Sequence, residues 1–122
     1  GIVFLRKTTM QLASKMRFMS AQLLALFDGG LGLAAASHAN AMAARLRGAL
    51  EELALPGLGF SQQTQANAVF AVLDNAAADR IRERVRFYDW DRAAGEVRWM
   101  TAFDTTEADI DAFVEVIRSE LS

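Results

Sequence analysis

Cysteine is absent from this sequence, and that omission removes a disulfide framework, a thiolate metal site and a cysteine nucleophile together. Histidine occurs once, as His38, too little for a histidine-rich metal site or a paired-histidine acid/base system. No metal site is expected. The formal net charge of −2 lacks the basic excess that a nucleic-acid binder needs. No apolar run approaches the roughly 20 residues that span a bilayer, and the start lacks the charged, apolar, small-residue order of a signal peptide. Neither nucleic acid nor a membrane is expected as a partner. With no thiols to oxidise, a reducing, cytoplasmic setting is the simpler expectation.

What remains is 122 residues, 52% of them apolar, enough for one core without a metal or disulfide staple. The segment Gly95–Thr106 organises it. Val97, Trp99, Thr101 and Phe103 alternate with Glu96, Arg98, Met100 and Ala102, the two-residue period of an extended strand. Arg98 shares its face with Met100 and Ala102 and has little polar company. A guanidinium there needs an anionic partner, because burying an unpaired charge is costly. That partner is either a carboxylate of the protein or the carboxylate of a ligand.

The run Ile2–Leu5, β-branched and aromatic between Gly1 and Arg6-Lys7, reads as a buried strand. So apolar a start suggests a piece of a longer protein, entered mid-sheet. From Thr9 to about Phe27, Leu12, Met16, Met19, Leu23 and Leu26-Phe27 recur at helical spacing, and Asp28-Gly29-Gly30 stops the helix. Lys15 and Arg17 in it read as solvated cations. Leu31 to about Leu55 is the longest helix, with an apolar stripe of Leu33, Asn40, Met42, Leu46, Ala49-Leu50 and Leu53. Its many alanines permit close approach, and Pro56-Gly57 ends it. His38, with no acid beside it, reads as a hydrogen-bonded structural residue. Gly32 stands where a larger side chain is expected and suggests a hollow.

Ala66–Leu73 is apolar on both faces, as a covered central strand is. Asp74 or Asn75 starts a short helix around 77–85, with Ile81 and Val85 inward. Asp79, Arg80, Arg82, Glu83, Arg84 and Arg86 make its solvated side. Phe87–Trp90 is a brief strand. Thr106 with Asp109 forms a capping box for a last helix lined by Ile110, Phe113, Val114, Ile117 and Leu121. The expected class is α+β: long connecting helices, then a small β-α-β-β-α unit of the split β-α-β kind.

Phe4–Lys7 and Gln11–Gln22 resemble the helix that follows the cofactor lysine in the low-specificity threonine aldolases. These are pyridoxal-phosphate enzymes of the aspartate-aminotransferase fold class. His38–Ala43 resembles that family's connecting helix, and Gln65–Phe70, Glu96–Met100 and Phe103–Thr106 resemble its small C-terminal domain. The resemblance implies a three-part division: residues 1–30 end the large cofactor domain, 31–57 connect, and 58–122 form the small domain. It implies a parent that cleaves β-hydroxy-α-amino acids to glycine and an aldehyde with pyridoxal phosphate, and that assembles as a homo-oligomer, a homotetramer. Arg98 then grips the substrate α-carboxylate, which its planar fork meets with two parallel charge-assisted bonds. Orientation matters because the cofactor ring stabilises a carbanion only when the breaking bond stands perpendicular to its plane. Lys7 and Arg17 resemble basic residues that some members of the family place near the cofactor phosphate or the active-site entrance.

None of the lysines here stands in the motif context of the family's Schiff-base lysine. The chain by itself is therefore expected to be inactive, its partner being the rest of the parent. Two alternatives stay open. One is β-elimination or transamination on the same carboxylate clamp. The other is a non-catalytic ferredoxin-like binding module in which Arg98 pairs with Glu96 or Asp104; Asn67 is structural in each case.

Overall fold

In a computed structural model, residues 1–10 and 15–122 are described. They form two units, Gly1–Leu33 and Ala34–Ser122. The first carries helix α1, Ile2–Thr8, helix α2, Met16–Phe27, and the start of α3, Leu31–Leu53. The strand expected at residues 2–5 is instead part of α1, and Ile2, Val3, Phe4 and Leu5 are exposed. A four-residue apolar run carries no decisive period. With no strand beside it, the segment satisfies its own backbone locally: Leu5 N–H donates to Gly1 O at 3.1 Å and Thr9 N–H to Leu5 O at 2.9 Å. Leu12 and the Gln11–Ser14 part of the resemblance lie outside the described residues.

The stop after α2 is as expected, with Gly29 and Gly30 at φ of +85° and +78°. Gly32 leaves no hollow. A Cβ there would meet Leu26 O at 2.9 Å, so the absent side chain lets the helix start close against the preceding backbone. Among the described residues no single helix is long and apolar enough to cross a membrane; only α2 and α3 taken as one bent pair reach such a length and apolarity together.

The second unit holds the rest of α3, strands β1, Gly59–Phe60, and β2, Ala68–Val72, helix α4, Asn75–Arg84, strands β3, Tyr88–Asp91, and β4, Glu96–Met100, and helix α5, Glu107–Leu121. The sheet order is β1-β2-β4-β3, every neighbouring pair antiparallel. Strands β2 and β3 both oppose β4 and so run parallel to each other, joined through α4. This is the split β-α-β, in an α+β unit.

One face of the sheet supplies Val69, Ala71, Val97 and Trp99 to a core shared with Leu46 and Leu50 of α3, Ile81 of α4, and Ile110, Val114 and Ile117 of α5. Phe87 and Phe113 meet the Trp99 ring edge-on at centroid distances of 6.0 and 5.3 Å. The α3 stripe differs from the expected one: Ala39, Met42, Ala43, Leu46 and Leu50 are buried, whereas Leu33, Asn40 and Leu53 are exposed. The core takes the small alanines because the sheet end lies close to them. Buried Thr101 donates its hydroxyl to Ala39 O at 2.7 Å, tying α3 to the end of β4. Asn67 Nδ2 donates to Thr101 O at 2.8 Å and Thr101 N–H to Asn67 O at 2.9 Å, the structural role expected of that asparagine.

Strand β2 is central, but only one of its faces is covered. Val69 and Ala71 are buried, and Phe70 on the other side is not. Phe103, expected to continue the inward row of β4, is 72% exposed, because the chain turns after Thr101. Thr105 Oγ1 accepts from Ala102 N–H at 2.9 Å in that turn. Thr106 and Asp109 then form the expected capping box, and those bonds hold the Asp109 carboxyl below its usual range.

The charged side of α4 does more than face water. Asp79 and Asp89 share Arg82 and Arg92, with Arg92–Asp79 at 2.9 Å, so the network bridges α4 to the β3–β4 hairpin. Arg92, then Arg82, lowers the Asp79 carboxyl from 3.8 to about 2. A depressed carboxyl stabilises the fold above its unfolded value and loses that contribution as pH falls toward the folded one. Acid titration should therefore lower the urea midpoint between about pH 4 and pH 2. Asp79→Asn should flatten that loss, and salt should shrink it.

Gly95 sits at φ +67°, and a Cβ on it would lie 2.6 Å from Leu73 O, whose residue donates its N–H back to Gly95 O at 3.1 Å. Gly95→Ala should cost about 1–3 kcal/mol in urea unfolding, with unchanged denaturant slope.

Candidate functional site: the open face of the sheet

Alternation along β4 turns Glu96, Arg98 and Met100 away from the helices. The register places Phe70 of β2 on one side of Arg98 and Tyr88 of β3 on the other. Tyr88, Trp90 and Met100 on this face are all more than half exposed, and no helix of the unit covers them. Arg98 thus stands, half-buried, at the middle of an aromatic sheet face.

Among the described residues Arg98 makes no ion pair. The two acids that would have made it structural are elsewhere. Glu96 accepts a short hydrogen bond from the Ser61 hydroxyl, and Asp104 lies in the turn beyond the strand. The guanidinium lies instead over the Trp90 ring, its Cζ 5.0 Å from the centroid. Trp90 meets Phe70 edge-on at 5.2 Å and 78°. Beside Arg98 a concavity of about 180 Å³ opens, lined by Arg86, Phe87, Tyr88, Arg98 and Met100. Two guanidinium-bearing side chains on a hollow with aromatic walls suit a small anion that also carries an apolar part.

The other residues singled out in the sequence are not among those lining this hollow. His38 Nε2 lies 2.7 Å from Thr105 O, a hydrogen bond that ties α3 to the turn before α5. Lys7 is exposed on α1, and Arg17 is exposed on α2, its guanidinium 5.1 Å from the Phe18 ring centroid. Both belong to the first unit and Arg98 to the second. Among the described residues, no group of three or more His, Asp or Glu side chains is placed to hold a metal ion.

Trp90, Phe70, Tyr88 and Arg86 were not marked as site residues by sequence reasoning. A clue to Tyr88 was its place in a four-residue strand, which sets it opposite Arg98 once the hairpin is drawn. Trp90, two residues on, shares that face by alternation, but its position against β4 could not be read, because Asp89 pairs with Val97 while Asp91 pairs with Glu96. The extra residue is Trp90.

No protein-family model matches the chain. A low-specificity L-threonine aldolase of a Pseudomonas species is 35% identical to it over 113 residues, 92% of this chain and 32% of the relative. The protein of the same name from Pseudomonas aeruginosa is 35% identical over 109 residues, 88% of this chain and 30% of the relative. The chain spans about a third of the length of these curated relatives. Among solved structures, that of Leishmania major threonine aldolase matches with a TM-score of 0.59 at 25% identity, over 70% of this chain and 25% of that one. Over nine-tenths of its length, then, this chain is a homologue of the low-specificity L-threonine aldolases, as a stretch matching about one third of such a protein.

Proposed function

We propose that this chain is the C-terminal portion of a pyridoxal-phosphate-dependent lyase that cleaves threonine-type β-hydroxy-α-amino acids to glycine and an aldehyde. Its part is to hold the substrate α-carboxylate on Arg98. The observation that carries the reading is the guanidinium itself: half-buried beside a hollow, over an indole ring, and without an ion-pairing acid among the described residues. A carboxylate entering from the open face completes what the fold leaves undone. The binding-module alternative required Glu96 or Asp104 on Arg98, and neither pairs with it. The names of the relatives favour aldol cleavage over elimination or transamination.

The described residues do not by themselves make a holder for the cofactor. Lys7, Lys15 and Arg17 stand exposed on or beside short helices. In this reading the Schiff-base lysine and the ring contacts belong to the remainder of the parent. Lys7 and Arg17 add positive charge toward the cofactor phosphate, and no chemical step is routed through them. The parent divides as 1–30 from the cofactor domain, 31–57 connecting and 58–122 as the small domain. It assembles as a homo-oligomer, a tetramer, in the cytoplasm.

In the complete protein, Arg98→Lys should weaken glycine or threonine binding about 10- to 100-fold, the loss of a charge-assisted fork, with cofactor absorbance unchanged. Cofactor loss with normal substrate affinity would refute the clamp. Mixed with pyridoxal phosphate and borohydride, the 122-residue chain should give no stoichiometric adduct at any one lysine by mass spectrometry. Such an adduct would place the cofactor lysine within this chain and overturn the division of labour proposed here.

A further inference from the structure

We infer that Trp90 is a positioning residue for Arg98, holding the guanidinium over an aromatic ring rather than on an acid, so that its N–H donors stay free for a carboxylate. The inference rests on the carboxylate-clamp reading and adds to it how the clamp is held. A guanidinium offers two chemically different surfaces. Its five N–H donors lie in the plane, at the edge, and its faces are poorly hydrated and stack on aromatic rings. A protein acid placed to fix Arg98 would take the edge, the surface that the substrate needs. An indole holds the cation through its π-system and takes none of those donors as an acid would.

The fold builds this arrangement deliberately. Tyr88 opposes Arg98 and Asp89 opposes Val97, and one residue is then inserted before Asp91 opposes Glu96. The insertion is Trp90, which has no opposite residue on β4. Free of a ladder position, its ring lies beneath the guanidinium, with Cζ at 5.0 Å from the centroid. Phe70, on the other neighbour of β4, closes on that ring edge-on at 5.2 Å. The indole is thereby held between β3 and β2 across the strand that carries the arginine. A long side chain with four rotatable bonds is ordered before ligand arrives, so less freedom is lost on binding.

Two readouts separate this role from a merely structural one. In the isotopically labelled 122-residue chain, the Arg98 Nε–H should give a ring-shifted signal with the relaxation of an ordered group. Trp90→Leu should move it to the random-coil position, and Trp90→Phe should keep it shifted. In the complete protein, Trp90→Leu should raise KM for threonine and Kd for glycine about 3- to 30-fold, with kcat within about twofold. Trp90→Phe should recover most of the loss. If Arg98→Lys weakens glycine binding while Trp90→Leu leaves it unchanged, the clamp stands and the positioning role of Trp90 falls. If Arg98→Lys itself leaves glycine binding unchanged, the clamp falls and takes this inference with it. A wild-type Arg98 Nε–H that relaxes like a free side chain overturns the inference with no substitution needed.

Discussion

Strand β4 is paired on both sides, and that constraint fixes the face on which Arg98 stands. Phe70 holds Arg98 in register from one neighbour and Tyr88 from the other. Because side chains alternate strictly, a slip of one residue would carry the guanidinium into the core and turn Trp99 out to water. Buried there without an acid, the charge would cost far more than the strand's ladder returns. Both ends are pinned as well. Gly95, in a backbone conformation that suits glycine, closes on Leu73, and Thr101 clasps Ala39 and Asn67. The arginine's direction is a consequence of where the core residues must go.

The two faces of the sheet are asymmetric, and the asymmetry separates stability from function. Three helices share a core with one face, where Val69, Val97 and Trp99 are almost wholly buried. The other face carries aromatic side chains and Met100 around a single strand-borne cation. An apolar sheet face of this kind is an unfinished surface, and its chemistry, aromatic walls with a guanidinium at the centre, says what kind of group finishes it.

Much of this was legible in the sequence. The two-residue period of 96–101 gave the face of Arg98, Thr106 with Asp109 gave the start of α5, and the order of elements gave the split β-α-β. The errors have physical causes. Residues 2–5 have strand-like composition, but composition cannot supply a neighbouring strand, and the segment became helix. Leu33 and Leu53 fit the helical period of α3, yet the core takes Ala39 and Ala43, a choice made by how close the sheet end approaches. Phe103 fits the period of β4, but the strand ends three residues earlier, at Met100. Trp90 was missed as a partner of Arg98 because the inserted residue shifts the hairpin register, which the sequence does not show.

The distribution of charge makes the final step. Around the second unit nearly every cation is already engaged: Arg45 with Asp111 and Glu107, Arg47 with Glu51, Arg80 with Glu120, Arg82 and Arg92 with Asp79 and Asp89, Arg118 with Glu115. Arg84 donates to the Ser119 hydroxyl. Among the described residues of this unit, Arg86 and Arg98 alone of the arginines have neither an ion pair nor a hydrogen-bonded protein partner, and both line the same hollow. The second unit thus gathers its two unpartnered arginines at one aromatic concavity. Low-dielectric walls strengthen such a field, and in the proposed reading it is what draws a carboxylate to Arg98. The ion pair the fold omits is the one that would have closed that arginine's fork.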